Sequence, residues 1–221
     1  SNQEIFSLLI HHPSFDINQI DKRSMTPLGY AINSQNSDFI YQLLLVPGID
    51  VNLKVLSAND DRRKENGSLL FLTPMNLAIK LNNFRIVKML TQNESLKLNG
   101  YIKGKTVLQE TVIANNASIA SVLLSTPNID PNLITVFDPV DVTLLVHQTY
   151  RSSQKNDPYL YGMSPLHIAC QLHNTDIVKD LIRHDDLLVN EYTSADGSVL
   201  IELKKDLYDA FYNNEVRKID E

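Results

Sequence analysis

Four asparagines, Asn52, Asn99, Asn132 and Asn190, each stand 26 residues after a Thr or Ser that opens an apolar run: Thr26, Thr73, Thr106 and Ser164. A fifth, Asn18, precedes the first opener, and Ser198 follows the last asparagine. The gaps from asparagine to next opener vary widely, at 8, 21, 7, 32 and 8 residues. A body of fixed length joined by connectors of free length is the signature of stacked repeats. Each body must match its neighbours, and the connector need not. This constrains the fold to a repeat array and directs the search for function to the connectors that have grown.

The bodies begin Thr-Pro-Leu (26–28), Thr-Pro-Met (73–75), Thr-Val-Leu (106–108) and Ser-Pro-Leu (164–166). A hydroxyl residue caps free N–H groups, and proline fits the first helical position, so each opener predicts a helix start. Ten residues on lie Asn36, Asn83, Asn116 and Asn174, preceded by Gln35, Asn82, Asn115 and His173. Asn and His tolerate left-handed backbone, which predicts a helix–turn–helix corner there. In the second helix, Phe39, Ile86, Ile119 and Ile177 share one offset, with Leu43, Leu90, Leu123 and Leu181 four residues later, on one buried face. The predicted core is Leu28, Leu43, Leu90, Leu108, Leu123, Leu166 and Leu181.

The segment from Met163 to Cys170, with Asn174 to Val178 and later Leu188 to Asn190, resembles an ankyrin repeat, as does the Ile49 to Asn52 ending. The resemblance recurs at fixed offsets over nearly the whole chain, apart from two insertions and the last twenty or so residues. The body is one residue longer than the usual pattern, and the copy opened by Thr106 lacks both Pro and His. The resemblance implies an all-α repeat solenoid of stacked helix–turn–helix units with β-hairpin fingers, two of them carrying long insertions. The expected organisation is a single domain, 1–221. It comprises a partial N-terminal repeat (3–18), a repeat (19–52), an insertion (53–72), repeats at 73–99 and 100–132, a second insertion (133–162), a repeat (163–190) and a C-terminal cap repeat (191–221). The start, Ser1-Asn2 followed at once by second-helix residues Ile5, Leu9 and Ile10, reads as a fragment of a longer protein.

Composition adds bounds. With 221 residues and 43% hydrophobic content, the chain can bury a continuous core. No run of 18 apolar residues occurs, so no membrane contact is expected. A net charge of −6 without a dense basic stripe argues against nucleic acid. The single cysteine points to a reducing compartment without disulfides, hence a cytoplasmic location, and a monomer is expected. Asparagine-rich repeats with irregular insertions also resemble effector proteins of intracellular bacteria or proteins of parasitic protists, which would place the chain in a host cytoplasm.

Residues 53–72 hold two short apolar arms around a charged tip that contains Arg62, Arg63 and the turn pair Asn66-Gly67. An extended β-finger and a solvated loop both fit. In residues 133–162, Asp138-Pro139 with Asp141 suits a helix start, whereas the β-branched run suits a strand. That insertion carries Tyr150, Arg151, Tyr159 and Tyr161.

Catalytic groupings are thin. His167 occupies the opener motif, where a structural hydrogen bond explains it; Cys170 takes a small-residue place in the first helix. His11-His12 lack further ligands at zinc spacing, and His147 with Asp141 is a weak acid–base pair. No catalytic, metal or cofactor site is assigned and no cofactor is expected. The resemblance implies a binding module whose concave face and fingers hold a partner protein. First-helix positions expected along that face are Asn33, Ser34, Lys80, Leu81, Ile113, Ala114, Gln171 and Leu172. Partner contacts are expected at Tyr150, Arg151, Tyr159, Tyr161, Gln171 and Leu172, with Lys80, Leu81, Arg62 and Arg63 beside them. Two other readings stay open: the targeting arm of a larger enzyme, and an autoinhibited scaffold braced by the second insertion.

Overall fold

The computed structural model describes residues 8, 12, 15–56, 71–136 and 162–188. Those residues hold eight short helices and one two-stranded hairpin, in two compact units, Ser1–Leu98 and Asn99–Glu221. The fold is a helical repeat array, as the spacing of openers predicts.

In the first unit the helices are α1 (Pro27–Asn33), α2 (Ser37–Leu44), α3 (Pro74–Lys80) and α4 (Phe84–Leu90), with β1 (Val55–Leu56) and β2 (Phe71–Leu72) between the pairs. Helix α1 packs on α2 and α3, and α4 packs on α2 and α3. The second unit holds α5 (Val107–Ile113), α6 (Ala117–Leu124), α7 (Pro165–Gln171) and α8 (Thr175–Ile182), with α5 on α7 and α6 on α8.

Each opener caps its helix. The Thr26, Thr73 and Thr106 hydroxyls accept from the N–H groups of Gly29, Asn76 and Gln109. Proline follows three of the four openers at the first helical position. Every first helix then ends at a left-handed residue: Gln35 (φ 54°), Asn82 (53°), Asn115 (51°) and His173 (57°). Two crossed bonds close each corner. In the first, Gln35 N–H donates to Ile32 O at 2.9 Å and Asn36 N–H to Ala31 O at 3.1 Å; the other three repeat this pattern. The asparagine that closes the corner is also the N-cap of the second helix. One residue therefore ends one helix and starts the next, which explains why the corner needs only two residues.

The second helices bury Ile86, Ile119, Ile177, Leu43, Leu90, Leu123 and Leu181 completely. Two expectations need correction. Phe39 is half-buried, and Ile40 beside it takes the fully buried place. Leu166 is also half-buried, whereas Leu28, Met75 and Leu108 at the same offset are at most 1% exposed. Among the described helices, α7 has a neighbouring pair on one side only, and its burial falls to Pro165, Ile168 and Ala169. Each fully buried leucine or isoleucine contributes about 1.5–3 kcal/mol through removal from water.

The repeated asparagines are side-chain clasps. Asn18 Nδ2 donates to Gly48 O at 2.8 Å and its Oδ1 accepts from Asp50 N–H at 2.8 Å. Asn52 does the same with Ser95 O (2.8 Å) and Lys97 N–H (2.7 Å). Asn99 holds Asn128 O (2.8 Å) and Asp130 N–H (3.0 Å), and Asn132 holds Asp186 O (2.7 Å) and Leu188 N–H (2.8 Å). In all four, the partners lie four and two residues before the next asparagine of the series. An amide side chain donates from one atom and accepts at another, so a single asparagine reaches both backbone groups at once. The partial N-terminal repeat apart from Asn18 and its neighbours, and the C-terminal cap, lie outside the described residues.

Candidate functional site

The two grown connectors leave the body at equivalent places. In the first unit, Val55 pairs with Leu72 and Leu56 with Phe71 in an antiparallel neck, and Leu56 N–H donates to Ser24 O at 2.9 Å. In the second unit, Thr135 N–H donates to Met163 O at 2.9 Å and Gly162 N–H to Thr135 O at 3.0 Å; Val136 N–H donates to Gly104 O at 2.8 Å. Val55 and Thr135 each lie three residues after a clasp asparagine, and Leu72 and Met163 each precede an opener. Both insertions thus begin and end at a closed, hydrogen-bonded neck mounted on the preceding finger.

What fills each neck differs. Val55 is fully buried, and a Cβ on Gly29 would lie 3.2 Å from its Cγ2. At the matching place in the second unit stands Gln109, fully buried, whose Nε2 donates to Leu133 O at 2.6 Å and Met163 O at 3.2 Å. Its Oε1 accepts from Thr106 N–H at 2.8 Å, closing a capping box. The Thr135 hydroxyl accepts from Met163 N–H at 3.2 Å, and Tyr101 Oη donates to Ile134 O at 3.0 Å. These neck residues escaped the sequence reading. The signal was a glutamine three residues after an opener, where the other copies have Gly29, Asn76 and His167.

The fingers are short turns. Ile102 and Lys105 bridge around Lys103 and Gly104, both left-handed, as a two-residue hairpin turn requires. In the first unit Asp21 organises the turn. Its carboxylate accepts from the N–H groups of Arg23 and Met25 at 2.9 Å and from Tyr30 Oη at 2.6 Å. The Tyr30 bond, then the Met25 amide, holds the Asp21 carboxyl below its usual range, and the same bond raises the Tyr30 phenol. Lys22 and Arg23 are exposed beside it.

Of the expected contact residues, Lys80 and Leu81 end α3, exposed and half-buried in turn. Gln171 and Leu172 end α7 with the same alternation. Within the first unit, Asn33 and Ser34 belong to the adjacent α1, and Asn83 Nδ2 donates to Gln35 Oε1 at 2.9 Å across the two corners. Within the second, Ile113 and Ala114 end the adjacent α5, and Asn174 Nδ2 donates to Val112 O at 2.6 Å. Each unit therefore brings its two first-helix ends into one row, locked from behind. Tyr150, Arg151, Tyr159, Tyr161, Arg62 and Arg63 lie outside the described residues, as do His147 and Asp141.

His167 Nδ1 lies 3.2 Å from the Ser164 N–H and 2.6 Å from the Ser164 Oγ, a capping role within α7. Burial pushes the Cys170 thiol up, away from the reactive thiolate. A cleft of about 480 Å³ between the ends of α6 and α8 is lined by Asp180, Arg183, His184, Asp185 and Asp186, and Arg183 pairs with Asp180 at 3.6 Å. Among the described residues, no three His, Cys, Asp or Glu side chains gather as metal ligands, and no helix is long and apolar enough to cross a membrane.

A capped helix pair, a left-handed corner and a finger, repeated in register, define a helical repeat protein. A family model for the ankyrin repeat matches residues 161–191. The crystal structure of EF0377, an ankyrin repeat protein, is similar in fold with a TM-score of 0.50 at 16% identity, over 83% of this chain and 94% of that one. No curated protein matches the sequence. The segment 161–191 matches the ankyrin repeat, and the likeness in fold extends a helical repeat architecture of that kind over most of the chain. Ankyrin repeats serve in general as protein-interaction modules, and their fold is typically non-catalytic.

Proposed function

We propose that this protein binds a partner protein through its first-helix ends and its two extended fingers, with the second insertion as the main contact. The observation that carries this reading is the pair of closed necks. Because Thr135 bonds directly to Gly162 and Met163, the neck closes through its own backbone bonds. Long connectors on a rigid scaffold are where binding residues concentrate. Tyr150, Arg151, Tyr159 and Tyr161 in that connector are of the types that dominate interface hot spots. Gln171 and Leu172 extend the contact on α7. Lys80 and Leu81, with Arg62 and Arg63 of the first finger, add a second one that affects association rate more than affinity.

The test replaces residues 137–161 by a short glycine-containing turn, which keeps the neck bonds. A partner captured from source-cell lysate is then titrated against both proteins. The shortened protein folds and binds at least about tenfold more weakly, or about 1.4 kcal/mol. Equal binding moves the site to the helix ends, and unfolding on replacement supports a brace.

A further inference from the structure

We propose that Asn99 is a site of spontaneous deamidation, so that one clasp of this repeat array can be permanently broken by non-enzymatic chemistry. The four described clasp asparagines are geometrically alike, but their chemical surroundings differ. Asn18, Asn52 and Asn132 are followed by Gln19, Leu53 and Leu133; Asn99 is followed by Gly100. Nothing in the fold demands that glycine. A Cβ built at Gly100 meets no atom within 4 Å, and its φ lies outside the left-handed range that calls for glycine. Among the described residues, no acceptor meets the Gly100 N–H, and both residues are exposed to water.

A second difference concerns the backbone. The N–H groups of Asn18, Asn52 and Asn132 are held by Asp16, Asp50 and Asp130, two residues earlier, at 2.8–2.9 Å. Before Asn99 the matching residue is Lys97, which cannot accept that bond. Asn99 thus lacks the turn that fixes its siblings, and an unbranched, unbonded amide nitrogen follows it.

The reaction is balanced by water alone. When the clasp opens, the Gly100 nitrogen attacks Asn99 Cγ; the new C–N bond forms, the bond to Nδ2 breaks, and ammonia leaves with the Gly100 amide proton. Water then opens the cyclic imide to aspartate or isoaspartate. The product cannot remake the clasp, because an ionised carboxylate has no hydrogen to offer Asn128 O, now 2.8 Å from a former donor. Isoaspartate also lengthens the backbone by a methylene and shifts the register toward Asp130.

The test ages the full chain, carrying Asn66→Gln to remove the other Asn-Gly pair, at mildly alkaline pH. Peptide mapping by mass spectrometry then reads the conversion of each asparagine. Conversion at Asn99 exceeds that at Asn18, Asn52 or Asn132 by about tenfold or more, and Gly100→Ala, whose Cβ hinders the attack, suppresses it by a similar factor. Gly100→Ala melts at the parent temperature, whereas Asn99→Asp melts lower and matches the aged protein. Conversion at Asn99 no faster than at its siblings, or unchanged by Gly100→Ala, overturns the assignment of the site. An Asn99→Asp protein that melts like the parent overturns the breaking of the clasp.

Discussion

The two insertion necks close at equivalent places and have opposite interiors. The first closes on Val55, seated where Gly29 leaves room; the second closes on Thr135, beside a buried glutamine that bonds the Leu133 and Met163 carbonyls at once. Val55 and Thr135 each lie three residues after a clasp asparagine and bond to the residue before a capped opener, so the clasp and the opener, not the side chain in the middle, set where the neck closes. What the middle decides is how the neck fails. An apolar neck loosens when volume is lost, and a polar neck loosens when a buried donor to its carbonyls is lost.

The largest expected effect is therefore at the polar neck. Gln109→Ala removes both carbonyl bonds and the bond from Thr106 N–H, and should cost about 3 kcal/mol in urea unfolding. A loss below about 1 kcal/mol would show that the Thr135 pairing holds the neck without it. At the apolar neck, Val55→Ala should cost about 2 kcal/mol, the scale for a fully buried valine that leaves a gap. If it proved the larger of the two, the comparison would reverse.

The clasps below the two necks offer an internal control. Asn52 and Asn132 make matching bonds of 2.7–2.8 Å, so Asn52→Ala and Asn132→Ala should each cost about 1–2 kcal/mol, and equally. Unequal losses would mean that the neck, and not the clasp, sets the register. The smallest effect is an alkaline pH dependence at the polar neck. Burial raises the Tyr101 phenol, so the folded state holds that proton more tightly than the unfolded one. Its contribution is complete below the unfolded pKa of about 10 and lost as pH rises through the folded value. Thermal melting of the wild type should fall slightly more than that of Tyr101→Phe across this alkaline range.

Much of this was legible in the sequence because short-range chemistry fixes it. Openers and left-handed corners follow from the preferences of Thr, Pro, Asn and His over ten residues, and each falls where expected. Val55-Leu56 and Phe71-Leu72, at the two ends of the first insertion, pair as the β-finger reading expects. The role of Gln109 was not legible, since its partners at Leu133 and Met163 are 24 and 54 residues away and only the fold brings them together. Leu166 departs from its expected burial for a related reason. An apolar residue at the right offset states a preference for burial, and how far it is covered depends on what packs beside its helix. The expected contact tyrosines, outside the described residues, rest on sequence alone.

The asparagine clasp measures backward from the end of a body, toward atoms four and two residues before the next asparagine. The length of chain spliced in ahead of that body never enters the measurement. The entropy of closing a flexible connector grows only with the logarithm of its length, so lengthening one from 21 to 32 residues costs roughly 0.4 kcal/mol. A neck that closes on itself and a ruler that ignores it make this chain a natural host for transplanted segments. Any peptide whose ends can meet between Thr135 and Gly162 could be exchanged there without retuning the repeats around it.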